Sequence, residues 1–150
     1  MSRIEGFPPL ARPDARALVL GSMPSRESLA RRQYYAHPRN AFWTVMESVL
    51  GIERSLPYEQ RCDALGTRGV AVWDVAARCY RRGSLDADIQ PDSVVANDIP
   101  SLLAEVPTIR RVCFNGGAAE QTCCGCRRPA RHTRPCRWTK RSPGGVPGWT

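Results

Sequence analysis

Three short apolar runs constrain the fold of this chain more than any other feature. "ALVLG" (17–21), "GVAVWDV" (69–75) and "IRRVCFNGG" (109–117) each combine aliphatic or aromatic residues with an ending in glycine or a polar turn. A strand with one wet face alternates apolar and polar residues. Runs this continuous suit strands covered on both faces, as in a parallel sheet.

Helical spacing fills the gaps between them. After Asn40, residues Phe42, Val45, Met46, Val49 and Leu50 fall on one face of a helix that Gly51 can close. Pro57 can open a second helix, with Gly66 as its stop. Asn97 can cap a third, in which Ile99, Leu102, Leu103 and Val106 share a face before Pro107. Strands alternating with helices predict an α/β fold with parallel strands joined by helical crossovers. In such sheets ligands bind at the carboxyl ends of the strands. That rule points to "GSMPS", "DVAARCYRRGS" and "NGGAAE".

Composition narrows the class. The 150 residues suffice for one domain with a core, and 42% hydrophobic with 24% charged residues is an ordinary globular balance. No apolar run approaches a membrane span, and "MSRIEGFPPL" has no apolar signal-peptide core, so a cytoplasmic location is expected and no membrane partner. The net charge of +8 is misleading as a mark of nucleic-acid binding. Residues 122–150 hold seven basic side chains and no acid, while residues 1–121 hold 15 basic against 14 acidic. The body is nearly neutral, and overall charge says little about what it binds. Seven cysteines, an odd number and four of them in the tail, argue against a disulfide framework. Cys62, Cys79 and Cys113 read as small buried apolar residues.

Residues 21–43, "GSMPSRESLARRQYYAHPRNAFW", are the densest candidate site. Gly21 and Pro24 make a tight turn at a strand end, where Gly21, Ser22, Met23, Pro24 and Ser25 can approach a ligand through the backbone. The same turn can also be a plain strand exit. Tyr34 and Tyr35 are adjacent in a loop and cannot easily both be core, so at least one ring faces a ligand or solvent. Phe42 suits the core, and Trp43 fits either role. Asn40 can be a helix cap or a functional carboxamide, and His37 can be a structural loop histidine. Asn115, after the third run, can be a turn former or a pocket residue. Together, rings, a close-approach loop and carboxamides suit a planar heterocycle, and a base stacked on a ring gains roughly 1–3 kcal/mol.

"GSMPS" followed by "YYAHPRNAFW" resembles the uracil-DNA glycosylase superfamily, most closely its hypoxanthine-DNA (DNA-deoxyinosine) glycosylase family. "GVAVWDV", "GSLDADI" and "FNGGAAE" are similar to further blocks of that family, and the likeness covers roughly residues 14–121. Other uracil glycosylases carry an acid or amide where this chain has Met23. The hypoxanthine family resembles this chain in lacking that group and relies on an asparagine matching Asn40.

The resemblance implies a three-layer α/β/α sandwich with a short central parallel sheet. It also implies a monofunctional, cofactor-free enzyme, acting as a monomer on a deaminated base in double-stranded DNA. Asn40 would position water, Tyr35 would stack on the flipped base, His37 would orient the loop, and residues 21–25 with Asn115 would line the pocket. The single lysine, Lys140, lies outside the matching region, and without an amine no Schiff-base lyase step is expected.

The tail departs from the family. The second motif, resembling Leu-Pro-Ser-x-Ser-Pro, is missing, and beyond alanine the segment 122–150 holds a single aliphatic residue, Val146. We therefore expect an incomplete glycosylase-like domain over 1–121, its last strand missing, followed by a disordered basic tail. Two origins fit that tail: out-of-frame translation of GC-rich DNA, or a zinc knuckle built from Cys123, Cys126, His132 and Cys136. The rival reading of the whole chain is a non-catalytic nucleotide- or nucleic-acid-binding module with the basic tail, zinc-bound or not, as its contact surface.

Overall fold

The computed structural model describes residues 3–116, Ala119 and the strand at 134–137. Its centre is a parallel sheet. β2 (Ala17–Gly21) lies between β3 (Val70–Asp74) and β6 (Arg111–Phe114), and β7 (Arg134–Arg137) adds to the far side of β6. Val19 sits opposite Val72 on one side and Cys113 on the other. The three apolar runs are therefore the three strands that pair around β2.

Alternate side chains of these strands build two cores. Leu18, Leu20, Ala71, Val112 and Phe114 face α4 (Ile99–Glu105), which contributes Ile99 and Leu102 to their cluster. Val19, Val70, Val72 and Cys113 face α2 (Phe42–Leu50) and α3 (Tyr58–Thr67), which contribute Phe42, Trp43, Met46 and Leu65. Each of the Val, Leu, Ile, Phe and Met side chains among them stabilises the fold by roughly 1.5–3 kcal/mol on burial. Helices on both faces of a parallel sheet make the three-layer α/β/α sandwich.

Several local features differ from the sequence reading. α1 (Arg26–Arg31) was unforeseen; Ser25 caps it by accepting from the Ser28 N–H, and six residues are too few for an apolar period to show. α2 ends at Gly51 in the left-handed region (φ 69°), as its glycine predicts. α3 runs past Gly66 to Thr67, because the left-handed turn (φ 78°) falls at Gly69 instead. α4 is capped by Asp98, which accepts from the Ser101 N–H at 3.1 Å. Asn97, the expected cap, donates its amide to the Asp74 carbonyl at 2.8 Å.

A second, antiparallel sheet of β1 (Arg3–Glu5), β4 (Ala76–Tyr80) and β5 (Val95–Ala96) was also unforeseen. Met23, Ala76 and Cys79 are buried together beside it. Its strands are short and mixed in polarity, and β4 follows β3 after a single residue.

The tail contains one correction. The expectation that the last strand is missing does not hold, since β7 runs parallel to β6 with Arg134 opposite Arg111 and Arg137 opposite Phe114. An edge strand is held through main-chain bonds along one side, so "RPCR" needs no apolar alternation to occupy that place. Cys123, Cys126 and His132 lie outside the described residues, as does the rest of the segment read as disordered.

Candidate functional site

The parallel strands end together, and a cavity of about 540 Å³ opens at their carboxyl ends. That volume suits a small ligand or a single base. Gly21, Asp74 and Phe114 bring β2, β3 and β6 to its wall, and Asn115 follows directly. Ladder-like bonds fix this rim, with Asn115 N–H donating to the Leu20 carbonyl and Val75 N–H to that of Gly21, both at 2.8 Å.

Eight of the nine residues expected at the site line this one cavity: Gly21, Ser22, Met23, Pro24, Ser25, Tyr35, Asn40 and Asn115. His37 is not among the lining residues, which corrects its place among the ligand-binding groups. It works within the loop instead. Its Nδ1 accepts from the Arg39 N–H at 3.1 Å and its carbonyl from the Asn40 N–H at 2.9 Å, so it shapes the turn that presents Asn40.

The two tyrosines divide as their adjacency requires. Tyr34 is core, 4% exposed, with its hydroxyl on the Pro8 carbonyl at 2.8 Å. Tyr35 faces the cavity. Its ring stacks on Phe42, centroids 4.1 Å apart, and its backbone is left-handed (φ 56°). A bulky residue in that region is strained, and packing against Phe42 holds it there. Trp43 resolves as core, since it is buried and its Nε1–H donates to the Tyr34 carbonyl at 3.1 Å.

Asn40 sits one residue before the helix N-cap. Its Oδ1 accepts from the Phe42 N–H at 2.9 Å, tying the carboxamide to the first turn of α2. An amide oxygen has two lone pairs, so one remains. The N-cap position itself belongs to Ala41, so Asn40 braces the start of α2 from the residue before the cap.

The loop 21–25 is braced from outside. The Ser22 hydroxyl donates to Asp86 Oδ1 at 2.5 Å, the Arg26 N–H to the Ser84 hydroxyl at 3.0 Å, and the Arg26 guanidinium to the Arg82 carbonyl. Arg81, 5% exposed, donates through Nη2 to the Pro24 carbonyl at 2.7 Å, while its Nε and Nη1 lack partners among the described residues. Burial pulls its pKa below the usual guanidinium range.

Sequence reasoning passed over Asp74, although it stands at the carboxyl end of a predicted strand. It is 3% exposed, lines the cavity, and its Oδ2 has no partner among the described residues. Burial, and then the charge of Asp86, push its pKa up to about 7. A lone acid interrupting an apolar run was the available signal. Gly21 makes room for it: a Cβ there would lie 2.5 Å from Asp74 Oδ1 and 2.9 Å from the Tyr35 hydroxyl. Among the described residues that hydroxyl also has no hydrogen-bond partner of standard geometry, although Asn115 approaches it. Burial and the nearby Asp74 raise its pKa.

The cavity therefore joins a ring wall, a close-approach loop, two carboxamides, a buried carboxyl and Arg39, with no lysine or histidine among the described lining residues. These features define an α/β/α protein with a cavity of ring, amide and carboxyl groups at the ends of its parallel strands.

Comparison with known proteins names the family. The sequence profile of the Uracil DNA glycosylase superfamily matches residues 8–146, and the chain belongs to that superfamily. It is 36% identical over 115 residues to a hypoxanthine DNA glycosylase of Methanosarcina acetivorans, covering 76% of this chain and 72% of that one. A hypoxanthine DNA glycosylase of Methanosarcina barkeri is 34% identical over 113 residues, covering 75% and 70%. The fold is similar to the solution NMR structure of a candidate uracil DNA glycosylase from Methanosarcina acetivorans. The TM-score is 0.69 at 34% identity, over 80% of this chain and 74% of that one.

Proposed function

We propose that this chain is a monofunctional DNA glycosylase that hydrolyses the N-glycosidic bond of a deaminated base, hypoxanthine before others, flipped out of double-stranded DNA. One observation carries the reading. In a chain similar to two hypoxanthine DNA glycosylases, Asn40, Tyr35 and the 21–25 loop converge on a single cavity.

The target nucleotide must leave the duplex, because its glycosidic bond is inaccessible inside the stack. Phe42 backs one face of Tyr35 and fixes the plane against which a base lies. Asn40, held by the Phe42 N–H, offers its remaining lone pair to a water aimed at C1′. Met23, buried beside Ala76 and Cys79, cannot activate water, so that task falls to Asn40. An amide is a weak base and acts by orientation, which suffices when the departing base carries negative charge well. Hypoxanthine does so better than thymine. The protein acts as a monomer in the cytoplasm, at the nucleoid.

The test compares alkaline strand cleavage of matched duplexes carrying one deoxyinosine or one deoxyuridine. Faster release from deoxyinosine is expected. Faster release of uracil would sink the substrate assignment. Salt-sensitive DNA binding with release of neither base would make the protein a binding module instead.

A further inference from the structure

Water positioning and ring stacking make no use of the buried cation behind the 21–25 loop. Arg81 is buried, and its Nη2 donates to the Pro24 carbonyl at 2.7 Å, while Nε and Nη1 have no acceptor among the described residues. No described carboxylate forms an ion pair with it; Asp86 and Asp88 act on it from farther away. A buried cation without a close counter-ion is costly, and burial pulls its pKa down. A neutral donor would hold one carbonyl at less cost. The charge is what needs a reason.

Its place supplies one. The main chain of Arg81 bridges Ile89, and its segment is joined to the 21–25 loop and the start of α1 by Ser22 to Asp86 and Arg26 to Ser84. Pro24 and Ser25 line the cavity, and Arg81 is not among the described lining residues. Across the trans Pro24–Ser25 peptide, C=O and N–H point in opposite directions. With the carbonyl turned to Arg81, the Ser25 N–H is turned to the cavity side. The N–H groups of Ser22, Met23 and Ser25 have no acceptor among the described residues.

We propose that Arg81 is a positioning residue for base release, its buried cation holding the Pro24–Ser25 peptide so that the Ser25 N–H meets the negative charge developing on the departing base. This rests on the glycosylase reading and deepens it. The C1′–N9 bond breaks with its electron pair on the base. Water closes on C1′, and its proton reaches the base through solvent, so Arg81 exchanges no proton. A guanidinium on the carbonyl polarises the peptide and strengthens the N–H at its other end. The cavity walls make that cation matter. Asp74 and Asp86 bring acids to the lining, and Arg39, the cation among the described lining residues, is exposed and screened by water and salt. Arg81 acts through the low-dielectric protein instead.

The experiment uses the full chain and its Arg81→Lys, Arg81→Gln and Arg81→Met variants. The readouts are single-turnover release at saturating protein from a deoxyinosine duplex, anisotropy with a duplex carrying non-cleavable 2′-fluoro-deoxyinosine, and thermal melts. Lysine keeps the cation, glutamine keeps a neutral donor, and methionine keeps neither. Release should fall by about tenfold or more in Arg81→Gln and Arg81→Met, with affinity for the uncleaved duplex little changed. Arg81→Lys should recover most of that loss. Rates are compared below the lowest melting temperature, where lost stability alone does not produce this pattern.

Equal rates in Arg81→Lys and Arg81→Gln would overturn the proposal, because the charge would then have no part. Weakened affinity with unchanged saturating release would overturn it too, since the loop donors would be serving a phosphate of the bound DNA rather than the departing base. Full wild-type release in all three variants overturns the role of Arg81 and leaves the glycosylase reading intact. Absence of release by the wild-type protein overturns the glycosylase reading and, with it, this role of Arg81.

Discussion

Asp74→Asn should change how the fold responds to pH, without any DNA present. Asp74 has an ordinary pKa of 3.8 when exposed and about 7 in the fold. Below pH 3.8 both states hold the proton and the group costs nothing. As pH rises from 3.8 to 7, the unfolded chain ionises first and the fold loses stability; above about 7 the loss levels off. At about 1.4 kcal/mol for each tenfold change, the full loss is roughly 4 kcal/mol, of which about 2–3 kcal/mol falls between pH 5 and pH 8. Asparagine has no such transition. For a domain of this size about 2–3 kcal/mol moves the melting temperature by roughly 5–10 °C. Thermal melts of both proteins at pH 5 and pH 8 measure it, and shifts common to both cancel in the difference. Wild type should lose roughly that much more than Asp74→Asn on going to pH 8. Equal losses would mean that Asp74 is ionised in the fold at neutral pH and that its burial is not what sets its charge.

The remaining predictions follow from the same wall of the cavity. Gly21→Ala places a methyl 2.5 Å from Asp74 Oδ1 and 2.9 Å from the Tyr35 hydroxyl, so overpacking should cost about 1–3 kcal/mol in a urea titration and lower base release. Asn40→Ala should slow the chemical step by about 2.7–4 kcal/mol in single-turnover assays, with only about 0.5–2 kcal/mol lost from stability through the missing bond to Phe42 N–H. A stability loss with unchanged turnover would reduce Asn40 to a cap. Arg81→Met removes the guanidinium bond to the Pro24 carbonyl, and release should fall because the 21–25 loop relaxes. Turnover equal to wild type would show that the loop is held by its other contacts. Truncation after Gln121 removes β7 and bares the outer edge of β6, so the melting temperature should drop; an unchanged melt would mean that β7 contributes no stability.

Legibility in the sequence followed the range of the physics involved. β2, β3, β6 and α2 were readable because burial on two faces, or along one stripe, writes an apolar pattern over several neighbouring residues. α1 and β4 were not, since "RESLAR" and "AARCY" are short and mix polarities. β7 stayed invisible for a different reason. Its attachment is main chain to main chain, and side-chain patterns do not record that. The swap of Asn97 for Asp98 as the cap of α4 turned on tertiary geometry, because the Asn97 amide is drawn away to the Asp74 carbonyl.

The site shows the same division. Residues 21–25, Tyr35, Asn40 and Asn115 are close in sequence to strand ends or to one dense loop, so their convergence followed from topology. His37 was grouped with the pocket residues although a loop-orienting role was also open to it, and its hydrogen bonds within the turn fit the loop role. Asp74 was hidden by its surroundings: within "GVAVWDV" an acid reads as the polar end of a strand. What distinguishes it is an Oδ2 without a donor among the described residues, in surroundings that Gly21, Tyr35 and Asp86 build from three separate segments. Gly21 therefore does more than turn the chain. Its missing Cβ is the space in which the carboxyl and the tyrosine hydroxyl meet, so the tight turn that first drew attention to the loop and the acid that the sequence concealed belong to one arrangement.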